Sequence, residues 1–196
     1  MLPELDGVRA QVLAATGVAA ARTMPAIERY TGVLATELAW KTLPPGAKRR
    51  GRTSLLIATA LLGMVGPLDP VPDHRLAMTD SLDGLGRLGP FWRPYLTKTL
   101  ERHLEARVVW DLLPIEHAAA WDANVIPARK RRTARFIAAD GKTVTHWNKL
   151  LKGALTRFIL LTGATGPKPL ADLVLPQGYR LDPASSSTDL VFTQPV

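Results

Sequence analysis

The stretch ARFIAADGKTVTHWNKLLKGALTRF, from Ala134 to Phe158, decides the fold because it contains a hairpin followed by a helix. Two runs of alternating residues flank Asp140-Gly141, a dipeptide that favours a two-residue turn between antiparallel strands. From Asn148 the spacing changes to that of an amphipathic helix, which we expect to end near Thr162. Strands and helices interspersed in this way predict an α/β (α+β) fold.

The remaining segments predict one domain over residues 1–196, with a mixed sheet and flanking helices. Residues 1–23 have helical periodicity with Asp6 as the cap, and MPAIERYTGVLATELAW is a second amphipathic segment. The charge run PPGAKRRGR, from Pro44 to Arg52, predicts a solvated turn. Later segments predict a buried strand in TSLLIATALLGMVGP, a helix in FWRPYLTKTLERHLEARV, a short strand in VVWDLLP and an edge strand in the tail.

The composition limits which catalytic and metal-binding chemistries this protein can have. The chain has 196 residues, 46% of them hydrophobic, and no cysteine, which excludes disulfides, thiolate catalysis and cysteine metal sites. The sequence contains no HExxH, G-x-S-x-G, P-loop or G-x-G-x-x-G motif. Its start, MLPELDGVRA, does not look like a secretory signal, and the run LLIATALLGMVG is too short to span a bilayer. We therefore expect a cytoplasmic protein without a membrane-spanning segment.

The predicted helix after the hairpin has an apolar and a basic side. Gly in a helix interior costs about 1 kcal/mol relative to Ala, so Gly153 indicates the close approach of another group. With a formal net charge of +8, the basic side is either a solvated surface or a holder of carboxylates or phosphates. The apolar side contains Leu151, Leu155, Phe158 and Ile159, and the basic side contains Lys149, Lys152 and Thr156, with Arg157 at its border.

The positions of several histidine and tryptophan residues make them candidates for a functional site. His74, His117 and His146 each lie where a strand ends or a loop begins, which is where α/β proteins build their sites. His103 lies among charged helix residues, which predicts a position at the surface. Trp92 and Trp147 either belong to the core or line a pocket for an aromatic ligand.

Five blocks, in order, resemble the YaaA family of peroxide-stress proteins. The resemblance covers roughly residues 25–157 and implies a mixed α/β fold with a basic cleft. It also implies a role in limiting iron-driven oxidative damage, with DNA binding as the proposed mode. The blocks are AIERYTGVL, ALLGMVGPLDPVPDHRLAM, GPFWRPYL, VVWDLLPIEHAAAWD and HWNKLLKGALTR.

The sequence departs from the family pattern at several positions. The family's Tyr-Arg-Leu is here His74-Arg75-Leu76, and its Ser-x-x-Tyr ends here in His117. The basic pattern is retained as Lys149, Lys152, Gly153 and Arg157. The chain also begins near the end of the family's N-terminal region, so we expect a YaaA-like fold that lacks much of this region. Because the proposed DNA-binding element lies there, nucleic acid is a disfavoured partner.

The two Tyr-to-His changes make the chain resemble the diverged, haem-dependent TsrE-like branch of this family, found in thiopeptide antibiotic biosynthesis. That resemblance implies haem b and an oxidoreductase that opens the indole ring of a tryptophan-derived keto acid, on the route to a quinaldic acid moiety. Its partners are a small aromatic carboxylate substrate and either oxygen or peroxide, and the assembly expected is a homodimer. The alternative is a peroxide-stress protein that binds DNA or limits free iron.

The haem reading assigns a role to each candidate residue. Imidazole is a good axial ligand for haem iron, and a basic helix can hold propionates or a substrate carboxylate. His117 is the favoured iron ligand, with His74 and His103 as alternatives. The other assignments are His74, Arg75 and His146 as catalytic residues, Lys149, Lys152 and Arg157 as cofactor-binding residues, and Trp92, Trp147 and Glu116 as substrate-binding residues.

Overall fold

The computed structural model describes residues 2–143 and 147–194. The helices are α1 Asp6–Thr16, α2 Ala26–Arg29, α3 Val33–Leu38, α4 Pro45–Ser54, α5 Leu88–Leu104, α6 Ile115–Ala118 and α7 Asn148–Thr162. The strands are β1 Thr23–Pro25, β2 Ile57–Thr59, β3 Gly63–Val65, β4 Pro70–Pro72, β5 Ser81–Leu82, β6 Gly86–Arg87, β7 Val109–Asp111, β8 Arg131–Ile137, β9 Arg180–Leu181 and β10 Asp189–Thr193. This mixture confirms the α/β (α+β) class.

The contacts divide the chain into two compact units. Unit one comprises Met1–Tyr30, Arg52–Ala106 and Leu113–Ile126. Unit two comprises Thr31–Gly51, Arg107–Leu112 and Pro127–Val196. The single domain over residues 1–196 stays a prediction.

Unit one is built from helices and three two-stranded ribbons. Strand β1 pairs with β4, β2 with β3, and β5 with β6, all antiparallel. The stretch TSLLIATALLGMVGP was predicted as one buried strand, which is wrong because its chain reverses between β2 and β3. Gly63, at φ +73°, allows the reversal, since a residue with a side chain is strained in this conformation. The turn contains the buried residues Ala60 and Leu61, so its sequence lacks the polar residues that mark most turns.

The N-terminal helix of unit one is shorter than predicted and is held by a buried arginine. Helix α1 ends at Thr16 because Gly17 follows it in the left-handed conformation, at φ 67°. Asp6 was predicted as the cap but is the first helical residue, and its carboxylate accepts from Arg9 at 2.9 Å instead. Arg9 is only 6% exposed and also donates to backbone carbonyls of the β2–β3 hairpin.

Unit two has a four-stranded mixed sheet in the order β7-β8-β10-β9. Strand β8 is parallel to both neighbours, and β10 is antiparallel to β9. The predicted mixed sheet is therefore confirmed. The tail strand β10 was predicted at the sheet edge, which is wrong because β9 pairs with it through Phe192 and Leu181 and takes the outer position.

One face of this sheet packs on α7. In register, Phe136 of β8 lies beside Phe192 of β10, and the two rings stack at 5.5 Å between centroids. Leu151 and Leu155 of α7 are 0% exposed and belong to the same core. The predicted helix from Asn148 to Thr162 is confirmed at both ends. The Asp140-Gly141 turn is also present, with Ala138 N–H donating to the Lys142 carbonyl at 2.9 Å, while residues 144–146 lie outside the described residues.

Two further predictions need correction. The run PPGAKRRGR was predicted as a solvated turn, but from Pro45 onward it lies in α4, where Pro45 takes the first helical position and Lys and Arg are good helix formers. Gly51 lets this helix pack closely, since a Cβ there would lie 2.5 Å from the ring of Trp40. The second amphipathic segment is not continuous, because residues 30–32 separate α2 from α3.

The opposite face of the sheet has paired charges. Arg131 bonds Asp111 at 2.6 Å, and Arg135 bonds Asp189 at 2.6 Å. The hydrogen bond from Arg135 holds the pKa of the Asp189 carboxyl below its ordinary value, assisted by a bond from Thr133.

We predict that Asp189→Asn lowers stability at neutral pH and that its effect becomes smaller in acid. Because the folded pKa of Asp189 is depressed, its stabilisation is present above the unfolded carboxyl pKa and is lost as the pH falls through the folded value. Urea unfolding at about pH 7 and at about pH 3 measures this change. Asp83→Asn, in an exposed turn, is the matched control. An equal loss at both pH values would contradict the assignment.

Candidate functional site

His74 lies after β4 in unit one and is half-buried. Its Nδ1 is 2.9 Å from the carbonyl oxygen of Pro72. A carbonyl oxygen only accepts, so Nδ1 donates this hydrogen bond. The ring of Tyr30 meets the imidazole edge-on, with 6.0 Å between centroids. The hydrogen bond and the ring contact together hold the orientation of the His74 side chain.

The sequence did not indicate that Tyr30 lies against His74 and is hydrogen-bonded to Thr59. The Tyr30 O–H donates to Thr59 Oγ1 at 2.5 Å, and Thr59 is only 2% exposed. Burial raises the pKa of the Tyr30 phenol above its ordinary value, so the phenol keeps its proton at neutral pH. Arg29, next to Tyr30, pairs with Asp73 at 3.2 Å. The position of Tyr30 in the AIERYTGVL block was the only available signal.

The other two histidine candidates of unit one differ in exposure. His117 is half-buried on the single turn of α6, and Glu116 beside it is exposed. His103 is exposed in the last turn of α5, which agrees with a surface position. Within residues 2–143 and 147–194, no group of three or more His, Cys, Asp or Glu could hold a metal ion.

The two tryptophan candidates have different environments. Trp92 is 0% exposed, and its Nε1 donates to the Ala60 carbonyl at 2.8 Å. Every part of this side chain is used by the core of unit one, so a substrate contact at Trp92 gains no support. Trp147 is 40% exposed immediately before α7, and Arg75 is also exposed. His146 lies outside the described residues, and its predicted role stays a prediction.

The basic residues of α7 have different surroundings. Arg157 Nη1 donates to the carbonyls of Leu38 and Ala39, at 3.0 and 3.1 Å, and so caps the C-terminal end of α3. Lys149, two turns earlier, is exposed, and Lys152 is half-buried. Arg157 therefore has a structural function that the sequence did not reveal, whereas Lys149 faces solvent.

Gly153 explains how α3 reaches α7. A Cβ at Gly153 would overlap the carbonyl oxygen of Leu34 and lie 2.8 Å from Cβ of Glu37. The predicted close approach at this glycine is thus confirmed, and the approaching group is a helix of the same unit. At the other end of α7, Arg50 donates to the Leu160 carbonyl and packs against Gly163.

The predicted site residues are divided between the units. Unit one contains His74, Arg75, Trp92, His103, Glu116 and His117, and unit two contains Trp147, Lys149, Lys152 and Arg157. Within unit one the structure brings His74 together with Tyr30. Within unit two it joins Arg157 to α3.

Net charge is distributed unequally between the units. Unit two has 16 Lys and Arg against 6 Asp and Glu, a net charge of +10, whereas unit one has 9 against 11, a net charge of −2. In unit two, nine basic side chains are exposed but only two acidic ones, Asp140 and Asp172. The excess positive charge of the whole chain thus lies in unit two and at its surface.

Comparison with known proteins identifies the family. The family model described as peroxide stress protein YaaA matches residues 5–185. The chain belongs to the YaaA family of peroxide-stress proteins. The family resemblance of the five blocks is thereby confirmed.

Relatives of this YaaA-family chain occur in several bacteria. A UPF0246 protein of Streptomyces coelicolor is 36% identical over 90% of this chain and 69% of its own length. A UPF0246 protein of Corynebacterium efficiens is 32% identical over 83% of this chain and 64% of its own length, and one of Phocaeicola vulgatus is 27% identical over 85% and 68%. The chain thus spans about two thirds of the length of these relatives. Among its described residues, no helix has the length and apolar character needed to cross a membrane.

Proposed function

We propose that this YaaA-family chain acts in peroxide stress by binding DNA through the surface of unit two. The observation that carries this proposal is the net charge of +10 on unit two beside −2 on unit one. Duplex DNA has about one negative charge per 1.7 Å of its axis, so a surface with many cations and few carboxylates gains affinity by releasing counterions. Protein bound along the backbone would shield DNA from oxidants formed nearby.

The exposed side chains of unit two suit phosphate contacts. Lys149 faces solvent on α7, and Lys41 and Arg129 are exposed in other parts of the unit. Arg and Lys supply most phosphate contacts because their charged N–H groups bond phosphate oxygens. We expected nucleic acid to be a disfavoured partner because the family's proposed DNA-binding element lies in its N-terminal region, whereas this charge is in unit two itself. The alternative role in limiting free iron stays a prediction.

A charge-matched pair of variants tests the proposal. Lys41→Gln/Arg129→Gln/Lys149→Gln removes three cations from unit two, and Arg22→Gln/Arg87→Gln/Arg102→Gln removes three exposed cations from unit one. We expect the first variant to bind duplex DNA at least about tenfold more weakly, and its salt slope to be shallower by about one for each phosphate that is no longer neutralised. The second variant should change both quantities much less. Equal effects would mean that net charge alone, and not unit two, determines binding.

We propose a haem-dependent oxidoreductase as the second candidate, because the surroundings of His74 favour it. A metal-bound imidazole usually donates its other ring N–H to a carbonyl or carboxylate, which fixes its orientation. The bond from His74 Nδ1 to the Pro72 carbonyl has this form, so His74 is the iron ligand of this second candidate, with His117 as the alternative. Haem b, when bound, would supply the oxidative chemistry for opening an indole ring with oxygen or peroxide.

The chain's own residues would have limited tasks in this second candidate. Tyr30 would hold the imidazole of His74 edge-on, and Arg75, which follows His74 in the same unit and is exposed, would orient the substrate.

An absorption titration with hemin tests the haem reading independently of DNA. His74→Ala should remove the Soret band of a one-to-one complex, whereas His117→Ala should retain it. The reverse result would restore His117 as the ligand. A wild-type protein with no specific Soret band would eliminate this candidate and leave the DNA proposal untouched.

A further inference from the structure

Trp121 has a buried hydrogen-bond donor that the protein does not satisfy. The residue is 4% exposed, and its Nε1 has no acceptor in the described part of the chain. The indole nitrogen only donates, so it cannot act as an acceptor instead. Buried donors are nearly always paired, with protein, ordered water or a ligand.

Two other indoles, the buried Trp92 and the half-buried Trp110, provide an internal comparison. Trp92 Nε1 donates to the Ala60 carbonyl at 2.8 Å, and Trp110 Nε1 donates to the Ala164 carbonyl at 2.9 Å. In both cases the fold supplies a backbone oxygen to a tryptophan nitrogen. Trp121 differs from both, although it is nearly as buried as Trp92 in the same unit.

The backbone around Trp121 is firmly anchored within unit one. Three residues of α5, spaced four apart, lie against the segment that contains the indole. A Cβ at Gly89 would lie 3.5 Å from the Ala119 methyl group, an ordinary contact distance, so Ala119 is close to α5. The Asp122 N–H donates to Thr97 Oγ1 at 2.9 Å, and Arg93 pairs with Asp122 at 3.4 Å. Contacts on both sides of Trp121 therefore hold this segment against α5.

We propose that Trp121 Nε1 donates to the oxygen of a small molecule held inside unit one. The donor is an N–H group, so the guest presents an oxygen acceptor and is neutral or anionic, never a metal cation. Two sources share this chemistry: an internal water and the carbonyl or carboxylate oxygen of an organic ligand. Internal waters typically bond buried polar groups that lack protein partners. This site is independent of the DNA-binding surface of unit two.

Nuclear magnetic resonance of the full chain, labelled with ¹⁵N, tests the proposal. Sequential assignment identifies the Trp121 indole signal, and Trp121→Phe verifies it by removing that peak. If the variant does not fold, the assignment alone suffices. We expect the Trp121 indole proton to exchange with solvent as slowly as those of Trp92 and Trp110, and far more slowly than that of Trp147, which is 40% exposed.

The same sample distinguishes the two sources. A cross-relaxation peak between the Trp121 indole proton and the water frequency identifies an internal water. No such peak, together with an added mass in native mass spectrometry that is lost on unfolding and refolding, identifies an organic ligand. Rapid exchange like that of Trp147 would overturn the proposal. Slow exchange with neither a water peak nor an added mass would also overturn it, because the acceptor would then be a protein atom.

Discussion

Replacing Gly153 with alanine will destabilise the protein, although the same change usually strengthens a helix. The added Cβ would overlap the Leu34 carbonyl oxygen and crowd Glu37, so α3 must move away from α7. Overpacking of this kind costs about 1–3 kcal/mol, which exceeds the gain of about 1 kcal/mol in helix propensity. Urea unfolding followed by circular dichroism measures the expected net loss.

Gly7→Ala is the matched control for Gly153→Ala. Gly7 lies in α1, and a Cβ there would meet no atom within 4 Å. This substitution should stabilise the protein by about 0.5–1 kcal/mol through helix propensity alone. If both variants were stabilised, α3 would not pack on α7 through Gly153.

Replacing Arg9 with methionine will produce the second large loss of stability. Its guanidinium donates to the carbonyls of Leu62, Met64 and Leu2, at 3.0, 2.7 and 3.0 Å. Methionine keeps most of the buried volume but donates to none of them. Each orphaned buried acceptor costs about 1–3 kcal/mol, so a total loss of about 3 kcal/mol or more is expected in urea unfolding.

Arg102→Met is the control for this change, because Arg102 is exposed on α5. Surface substitutions of this kind usually stay within about 0.5 kcal/mol. A similarly small effect of Arg9→Met would contradict the role of Arg9 in attaching α1 to the β2–β3 hairpin.

Local signals in the sequence predicted part of the fold. The 3.6-residue period defined α7 from Asn148 to Thr162, and Asp140-Gly141 defined a turn, because both depend on neighbouring residues. The partner at Gly153 could not be predicted, since α3 lies more than a hundred residues earlier in the chain. The capping of α3 by Arg157 could not be predicted from the sequence for the same reason.

The wrong predictions of secondary structure have physical causes. A uniformly apolar run has no period, so TSLLIATALLGMVGP did not reveal a hairpin whose turn is itself buried. A dense charge run is typical of a solvated turn. Here PPGAKRRGR is helical from Pro45 onward, because Lys and Arg favour a helix and Gly51 lets α4 pack against Trp40. Strand β10 was predicted at the edge of the sheet because its partner β9 has only two residues and leaves no strand pattern in the sequence.

The candidate site was harder to predict than the fold. Exposure separates Trp147 from Trp92, and sequence alone ranks them equally. The orientation of His74 depends on the Pro72 carbonyl, and the hydrogen-bonded pair of Tyr30 and Thr59 comes from segments 29 residues apart. The charge of unit two becomes visible only when its three chain segments are grouped by their contacts.

The most direct test of DNA binding by this protein is the affinity of the full chain for duplex DNA, measured by fluorescence anisotropy over a range of salt concentrations. We expect binding at low salt, with the logarithm of the association constant falling linearly against the logarithm of salt concentration. A slope of about −0.9 for each phosphate neutralised would give the number of phosphates that the protein binds. No binding at low salt, or an affinity independent of salt, would contradict the proposal that unit two holds DNA phosphates.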